Sequence, residues 1–272
     1  MMAELTTQPG AAGLLDALFM PGMLESVGLF MTRTGALLLL SPLIGSGASF
    51  QGYKVALVAS VSASMFLAQG LPPVVVGSPV ELALLIGREM AVGLALALVL
   101  HLVLTAMRVG SELIGNEMAF TMANSVDPST GESMPVLSRM NESLFFLALL
   151  SVDGHHWLIR ALAESFERAP VGSLAMGAGI PHMLASFFSQ MFSAGIAFAA
   201  PILALLMMVS LTIGLIARAV PQVNILEMGF SLRVGGGLAA IGLLSPTLAP
   251  AMHSLLEYFM TGLEAGLDAI EV

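Results

Sequence analysis

The sequence predicts an all-α membrane protein of long helical segments broken at Pro and Gly, and three observations carry that reading. Hydrophobic residues fill 57% of the 272 positions, charged residues only 10%, and the mean hydropathy is +0.94. Several apolar stretches reach or approach the roughly 20 residues that cross a bilayer. Proline and glycine stand between them and end or bend helices. A soluble domain dresses its surface with about 25% charged residues, so a chain this poor in charge needs a second apolar phase around it, most simply lipid.

Taken in order, residues 11–30 form an interrupted amphipathic stretch, with Asp16 and Glu25 around Pro21 and Gly22. Glu4 is the one charge before Asp16, so the start lacks the basic region of a cleaved signal peptide and the apolar segments are expected to persist. An apolar run follows over 27–44 and contains Arg33. A cation there either snorkels to a headgroup region or faces a protein partner, because its cost at the bilayer centre is about 2.5 kcal/mol or more. Pro42, Gly45 and Gly47 close this run, and a second segment over 55–71 ends at Pro72-Pro73, which together read as a helical hairpin. The third segment, 81–108, carries Arg88 and Glu89 in its first turns beside Gly87 and Gly93, small residues that let helix backbones approach.

From Gly110 the character changes: Gly110, Glu112, Gly115, Asn116, Glu117, Asn124, Asp127, Pro128, Ser129, Thr130 and Gly131 bring polar and turn-forming residues together, which predicts a loop over about 110–135. Helix resumes near Pro135, a favourable first-turn residue, and passes Phe145, Phe146 and Leu150 to Asp153-Gly154-His155-His156 and on to Phe166. Pro170, Gly172, Gly177 and Gly179 make the next break. Residues 181–216 are then almost unbroken apolar helix, too long for one untilted span, with a kink or a hairpin reversal expected at Pro201 and the hairpin slightly preferred. A last apolar segment over about 234–260, with Pro246 and Pro250, follows a polar stretch from 221 to 233. The whole chain reads as one domain, with hairpins on both sides of the 110–135 loop.

Composition and motifs exclude several functions. A net charge of −9 with isolated basic residues argues against nucleic acid, which demands clustered Lys and Arg. The absence of cysteine removes disulfides, thiolate metal sites and a cysteine nucleophile. Lys54 is the sole lysine and follows no phosphate-binding loop, and Gly235-Gly236-Gly237 opens an apolar segment where close helix packing or a bend is the simpler role. His155 and His156 diverge by about 100° on an ideal helix, so no shared ion is expected of them, and no HExxH spacing occurs. Asp153 beside them could mark a proton relay, but Gly154 points to a helix break where polar groups meet water. Neither an enzyme active site nor a cofactor is expected, since the carboxylates are scattered.

Four charge pairs are close in sequence: Arg88 with Glu89, Arg108 with Glu112, Arg139 with Glu142 and Arg160 with Glu164. Exposed pairs of this kind contribute a few tenths of a kcal/mol. The other use for them is charge neutralised within an assembly.

Several short signatures occur in a fixed order: Gly110 to Arg139, Asp153-Gly154-His155 with Ser165-Phe166 and Pro170-x-Gly172, and Arg218-x-x-Pro221-Gln222-x-Asn224, with Arg33 and Pro42 spaced near the start. Together they resemble the FliR/SctT family of type III secretion export-gate membrane subunits over nearly the whole chain. Met228-Gly229-Phe230 favours the flagellar branch over the injectisome branch. The resemblance implies long tilted helical hairpins packed into a hetero-oligomeric helical assembly, and a non-enzymatic pore subunit in the bacterial inner membrane at the flagellar basal body. It would assemble with FliP and FliQ, lie beside FlhB and FlhA, and pass unfolded export substrates. In the family the loop that here runs from about Gly115 to Met134 is held to plug the closed pore.

Met118, Phe120, Met122 and Met134 are then the candidate plug residues, since unbranched, polarizable methionine seals irregular gaps. With 20 Met in the chain, simple filling of helix interfaces is the competing use. Gly115, Asp127, Pro128, Pro135, Pro221, Gln222 and Asn224 are read as loop and architectural residues, and Arg33, Arg88, Glu89, Arg108, Glu112, Arg218 and Glu227 as interface charges. Two departures stand out: Gly115-Asn116-Glu117-Met118-Ala119 has Glu and Ala where the family has Gln and a second Gly, and Ile225-Leu226-Glu227 places a charge among expected apolar residues. An injectisome subunit is the alternative, and a secondary transporter a more distant one, for which no internal repeat is evident.

Overall fold

The computed structural model describes residues 20–42, 51–118, 136–174, 178–220 and 225–271. Within them the chain is helical and no strand occurs, in agreement with the all-α expectation. The helices are α1 Met23–Leu40, α2 Gln51–Ala68, α3 Pro79–Glu117, α4 Val136–Ser151, α5 Gly154–Arg168, α6 Ile180–Ala219 and α7 Ile225–Ile270. Three of them, α1, α3 and α6, are long and apolar enough to cross a membrane.

Two compact units are present, and each draws on distant parts of the sequence: Met1–Leu98, Leu158–Pro181 and Glu264–Val272 form one, Val99–Trp157 and His182–Leu263 the other. They therefore do not follow the order of hairpins along the chain. In the first unit α1 packs on α2, as the hairpin reading requires. Its apolar stripe of Leu29, Phe30, Leu37 and Leu38 recurs at helical spacing, and the Phe30 ring meets Phe66 edge-on at 5.3 Å and stacks on Phe166 at 4.4 Å. In the second unit Ile114, Met118, Leu137, Phe198, Ile202, Leu206 and Ala240 form a buried cluster drawn from α4, α6, α7 and the end of α3.

Three sequence expectations are corrected. The predicted loop does not begin at Gly110, because α3 continues to Glu117. Met107, Gly110, Ser111, Ile114, Gly115 and Met118 are all buried, at the i, i+3, i+4 spacing of one helix face. Packing of that face outweighs the roughly 1 kcal/mol each glycine costs a helix. No reversal occurs at Pro201, since α6 runs unbroken through it: one lost hydrogen bond is cheaper than opening a 40-residue helix. The polar stretch before residue 234 is likewise helical from Ile225 and continuous with the last apolar segment.

Glycines set how closely these helices cross. A Cβ on Gly93 of α3 would collide with the Arg33 carbonyl oxygen and lie 2.8 Å from Ala36 Cβ, so α1 meets α3 backbone to backbone. In the second unit a Cβ on Gly110 would lie 2.6 Å from the Gly195 carbonyl, and one on Gly195 would strike the Ala106 carbonyl, a reciprocal contact of α3 and α6. Gly237 of the triple-glycine run is close-packed as well, against Met118, and a Cβ on Gly236 would lie 3.3 Å from Val209, whereas Gly235 faces open space.

These contacts separate two kinds of glycine. Gly195→Val should destabilise the chain by about 1–3 kcal/mol through overpacking, whereas Gly214→Ala, with open space where its methyl would go, should be neutral or stabilise by up to about 1 kcal/mol. Thermal melting of both variants in mild detergent checks the contrast; equal melting temperatures would mean that the α3–α6 crossing is not set by Gly195.

Candidate functional site: a buried charge cluster

The third turn of α3 and the middle of α1 place three charged side chains in the interior of the first unit. Arg33 lies on the buried face of α1, four residues from Leu29 and Leu37, and both it and Glu89 are fully buried. Because Gly93 admits the α1 backbone one turn further on, Glu89 comes within reach of the guanidinium. Arg33 Nε donates to Glu89 Oε2 at 2.6 Å, and Arg88 Nη1 donates to the other carboxylate oxygen at 2.8 Å. Each oxygen of the acid thus carries an arginine.

The remaining Arg33 donors go to the C-terminal end of α5. Nη1 donates to the Ser165 carbonyl at 2.6 Å and lies 3.3 Å from Ser165 Oγ, and Nη2 donates to the Ala169 carbonyl at 2.8 Å. Arg88 Nη1 donates to the Pro170 carbonyl at 3.1 Å. The C-terminal end of a helix carries the negative end of its dipole, so two guanidiniums placed there, one on the Ser165 carbonyl and both on carbonyls just past the helix, complement α5 from outside. The arithmetic of charge agrees: two cations and one carboxylate leave one positive charge beside a helix end worth about half a negative one. The Phe166 ring completes the enclosure, with its centroid 4.4 Å from the Arg33 guanidinium carbon.

Arg33 therefore does not snorkel, and Arg33, Arg88 and Glu89 are paired with one another rather than offered as interface charges. Arg108 likewise reaches across to Glu142 of α4 instead of Glu112 on its own helix, beside an Asn141 Nδ2 to Ser111 Oγ bond of 2.8 Å. Glu164 lies 3.7 Å from Arg168, which also binds Asp268 at 2.6 Å and approaches Glu271 at 3.6 Å. Spacing along one helix is a weak guide when a neighbouring helix brings a partner within reach. Glu112 is half-buried and Arg218 exposed in the last turn of α6.

Several separate sequence signatures meet at this cluster: Arg33, Ser165-Phe166, and Pro170-x-Gly172, whose glycine takes a φ of +92° against Val74. What the sequence did not disclose is the use of the Ser165 and Ala169 carbonyls, since a backbone acceptor leaves no trace in side-chain identity. Among the plug candidates, Met118 is fully buried against Gly237 and in the second unit's core, which makes it a packing residue at the root of the following segment. Gly115 is buried within α3. Phe120, Met122, Met134, Asp127, Pro128, Pro135, Pro221, Gln222 and Asn224 lie outside the described residues, as does the side chain of Glu227.

Arg33→Ala should cost about 3–5 kcal/mol because it removes one of the two cations on buried Glu89 and the donors to the Ser165 and Ala169 carbonyls, and the double change Arg33→Met with Glu89→Leu should cost less than the sum of the two single ones. Arg33→Lys should be nearly as harmful as Ala, because an ammonium cannot span three acceptors in fork geometry. Membrane-fraction yield and detergent melting curves read both effects. A double variant whose cost equals the sum of the two singles would refute the internal pairing.

Comparison with known proteins bears on the same stretch. Residues 24–259 match the family described as bacterial export proteins, family 1. The chain is 32% identical over 168 residues to the flagellar biosynthetic protein FliR of Escherichia coli, covering 62% of this chain and 64% of that protein. It is 34% identical over 173 residues to the protein of that name from Pectobacterium carotovorum subsp. carotovorum, covering 63% and 66%, and 32% identical over 154 residues to that of Bacillus subtilis, covering 56% and 60%. The matched stretches span just under two thirds of these relatives' lengths. The family match takes in every described helix in whole or in part, including α1, α3 and α5 around the buried cluster, and the chain belongs to the bacterial export proteins, family 1.

Proposed function

We propose that this chain is a non-enzymatic membrane subunit of the flagellar type III export gate, seated in the bacterial inner membrane at the flagellar basal body. Its partners would be FliP and FliQ in the channel, with FlhB and FlhA adjoining, and its cargo unfolded flagellar proteins. The observation that carries this is the family match over 24–259, joined by relatives whose names are flagellar.

The physical character of the helices supports a subunit over a free-standing carrier. At about 1.5 Å per residue α3, α6 and α7 are about 58, 60 and 69 Å long, against a hydrocarbon core of about 30 Å. Even a tilt of about 40° uses only about 39 Å, so much of each helix needs protein or water around it. Yet α6 leaves Phe188, Phe192, Met207, Met208, Leu211 and Leu215 exposed, an apolar load that suits neighbouring subunits together with lipid.

Closing a resting gate falls, in this proposal, to the segment after Met118, with Phe120, Met122 and Met134 as its seal and Met118 as its buried root. Two experiments check the proposal. Loss of the gene should abolish motility and secretion of flagellar proteins, and the affinity-tagged chain should bring FliP and FliQ with it from mild detergent; a monodisperse solitary chain would argue against the gate. In the assembled complex, Phe120→Ser with Met122→Ser should raise ion conductance at unchanged complex yield, whereas Met118→Ala should lower yield by a core-truncation cost of about 2–5 kcal/mol. Conductance that stays at the unsubstituted level would remove the plug from the mechanism.

A further inference from the structure

At the junction of α4 and α5, within the second unit, Asp153, His155 and His156 come together at the start of α5. Each can supply one ligand atom, and these atoms all lie within 4.8 Å of one another. Asp153 Oδ1 is 3.5 Å from His156 Nδ1, and the imidazole rings of His155 and His156 have centroids 4.1 Å apart and planes inclined by 37°. The 100° divergence of adjacent helical positions is thus overcome, because these side chains sit in the first turn. No earlier turn of α5 stands in the way of their χ rotations. Asp153 adopts a φ of +56°, uncommon outside glycine, and its carbonyl accepts the His156 N–H at 2.9 Å, which turns the acid back over the helix start.

We infer that Asp153, His155 and His156 form a binding site for a divalent transition-metal ion of the zinc, nickel or copper class. Four-coordinate zinc with bonds of about 2.0–2.1 Å sets its ligand atoms about 3.3 Å apart, close to the Asp153–His156 separation. Two imidazoles and one carboxylate favour those ions over calcium or magnesium, which take oxygen ligands. A further observation points the same way: His155 Nδ1 is shielded from solvent and has no hydrogen-bond partner among the described residues, an acceptor or donor whose counterpart an ion or water would supply. Asp153 and His156 are exposed, so the ion reaches the site from solvent and water completes its coordination. Bound metal would clamp the α4–α5 turn. The inference stands apart from the export reading, as the site needs no partner subunit.

The test uses the full chain, purified in mild detergent without a polyhistidine tag. Zinc titrated into it should bind at one equivalent per chain, at least tenfold more weakly in His156→Ala and Asp153→Asn, and unchanged in His253→Ala, which removes the separate His253–Glu257 pair. Copper loaded in place of zinc should show superhyperfine coupling to two nitrogens by electron paramagnetic resonance, and to one in His156→Ala. Because Asp153 and His156 are exposed, both variants should keep the melting temperature of the unsubstituted protein measured without metal. Zinc affinity within threefold in His156→Ala, or a copper spectrum with fewer than two nitrogens in the unsubstituted chain, overturns the inference.

Discussion

Holding Arg33 inside an apolar helix bundle is the constraint on which the first unit depends. Drying a charged group costs several kcal/mol even after relaxation, and the cost is met only if each donor finds an acceptor. Here the acceptors come from three places at once: a carboxylate on α3, the Ser165 carbonyl of α5 and the Ala169 carbonyl just beyond it. Moving α1, α3 or α5 by a helical turn would leave a charge or a carbonyl stranded, so the cluster fixes register among elements that hydrophobic burial alone would let slide. Gly93 is part of the same device, because Glu89 reaches Arg33 only where the backbones of α1 and α3 touch.

A comparable logic without charge governs the second unit. Gly110 and Gly195 press α3 on α6 while Met118 fills the notch that Gly237 leaves on α7. Lipid tails are as apolar as leucine, so close packing and interhelical polar contacts carry helix association in a membrane rather than burial from water. The Arg108–Glu142 pair and the Asn141–Ser111 bond supply the polar part of that association between α3 and α4. Methionine has a double use in such a chain: as a buried filler at Met118, and, on the proposed function, as a deformable seal in the residues that follow.

Of the candidate site, the sequence disclosed the participants more readily than their pairing. Arg33, Arg88 and Glu89 drew attention because charges are rare in apolar helices, and Ser165-Phe166 and Pro170-x-Gly172 as fragments of a family resemblance. That they converge depends on which helix faces meet, and no local pattern encodes this. The same limit explains the misassigned partners of Arg108 and Glu142, where i, i+3 and i, i+4 spacing lost to a contact between helices.

The sequence by itself determined what composition and local periodicity can determine: an all-α, lipid-adapted chain, the α1–α2 hairpin and the break after Arg168. These follow from hydrophobic content and from residues such as Pro72-Pro73 that forbid or favour helix within a few positions. Only the tertiary structure decided that the polar run from Gly110 to Glu117 stays helical, that α6 continues through Pro201 without reversing, and that Arg33 faces inward. In each case a local preference worth about 1–3 kcal/mol competes with packing against a distant segment. Packing prevails because it satisfies many groups together, and those groups become neighbours only in the folded chain.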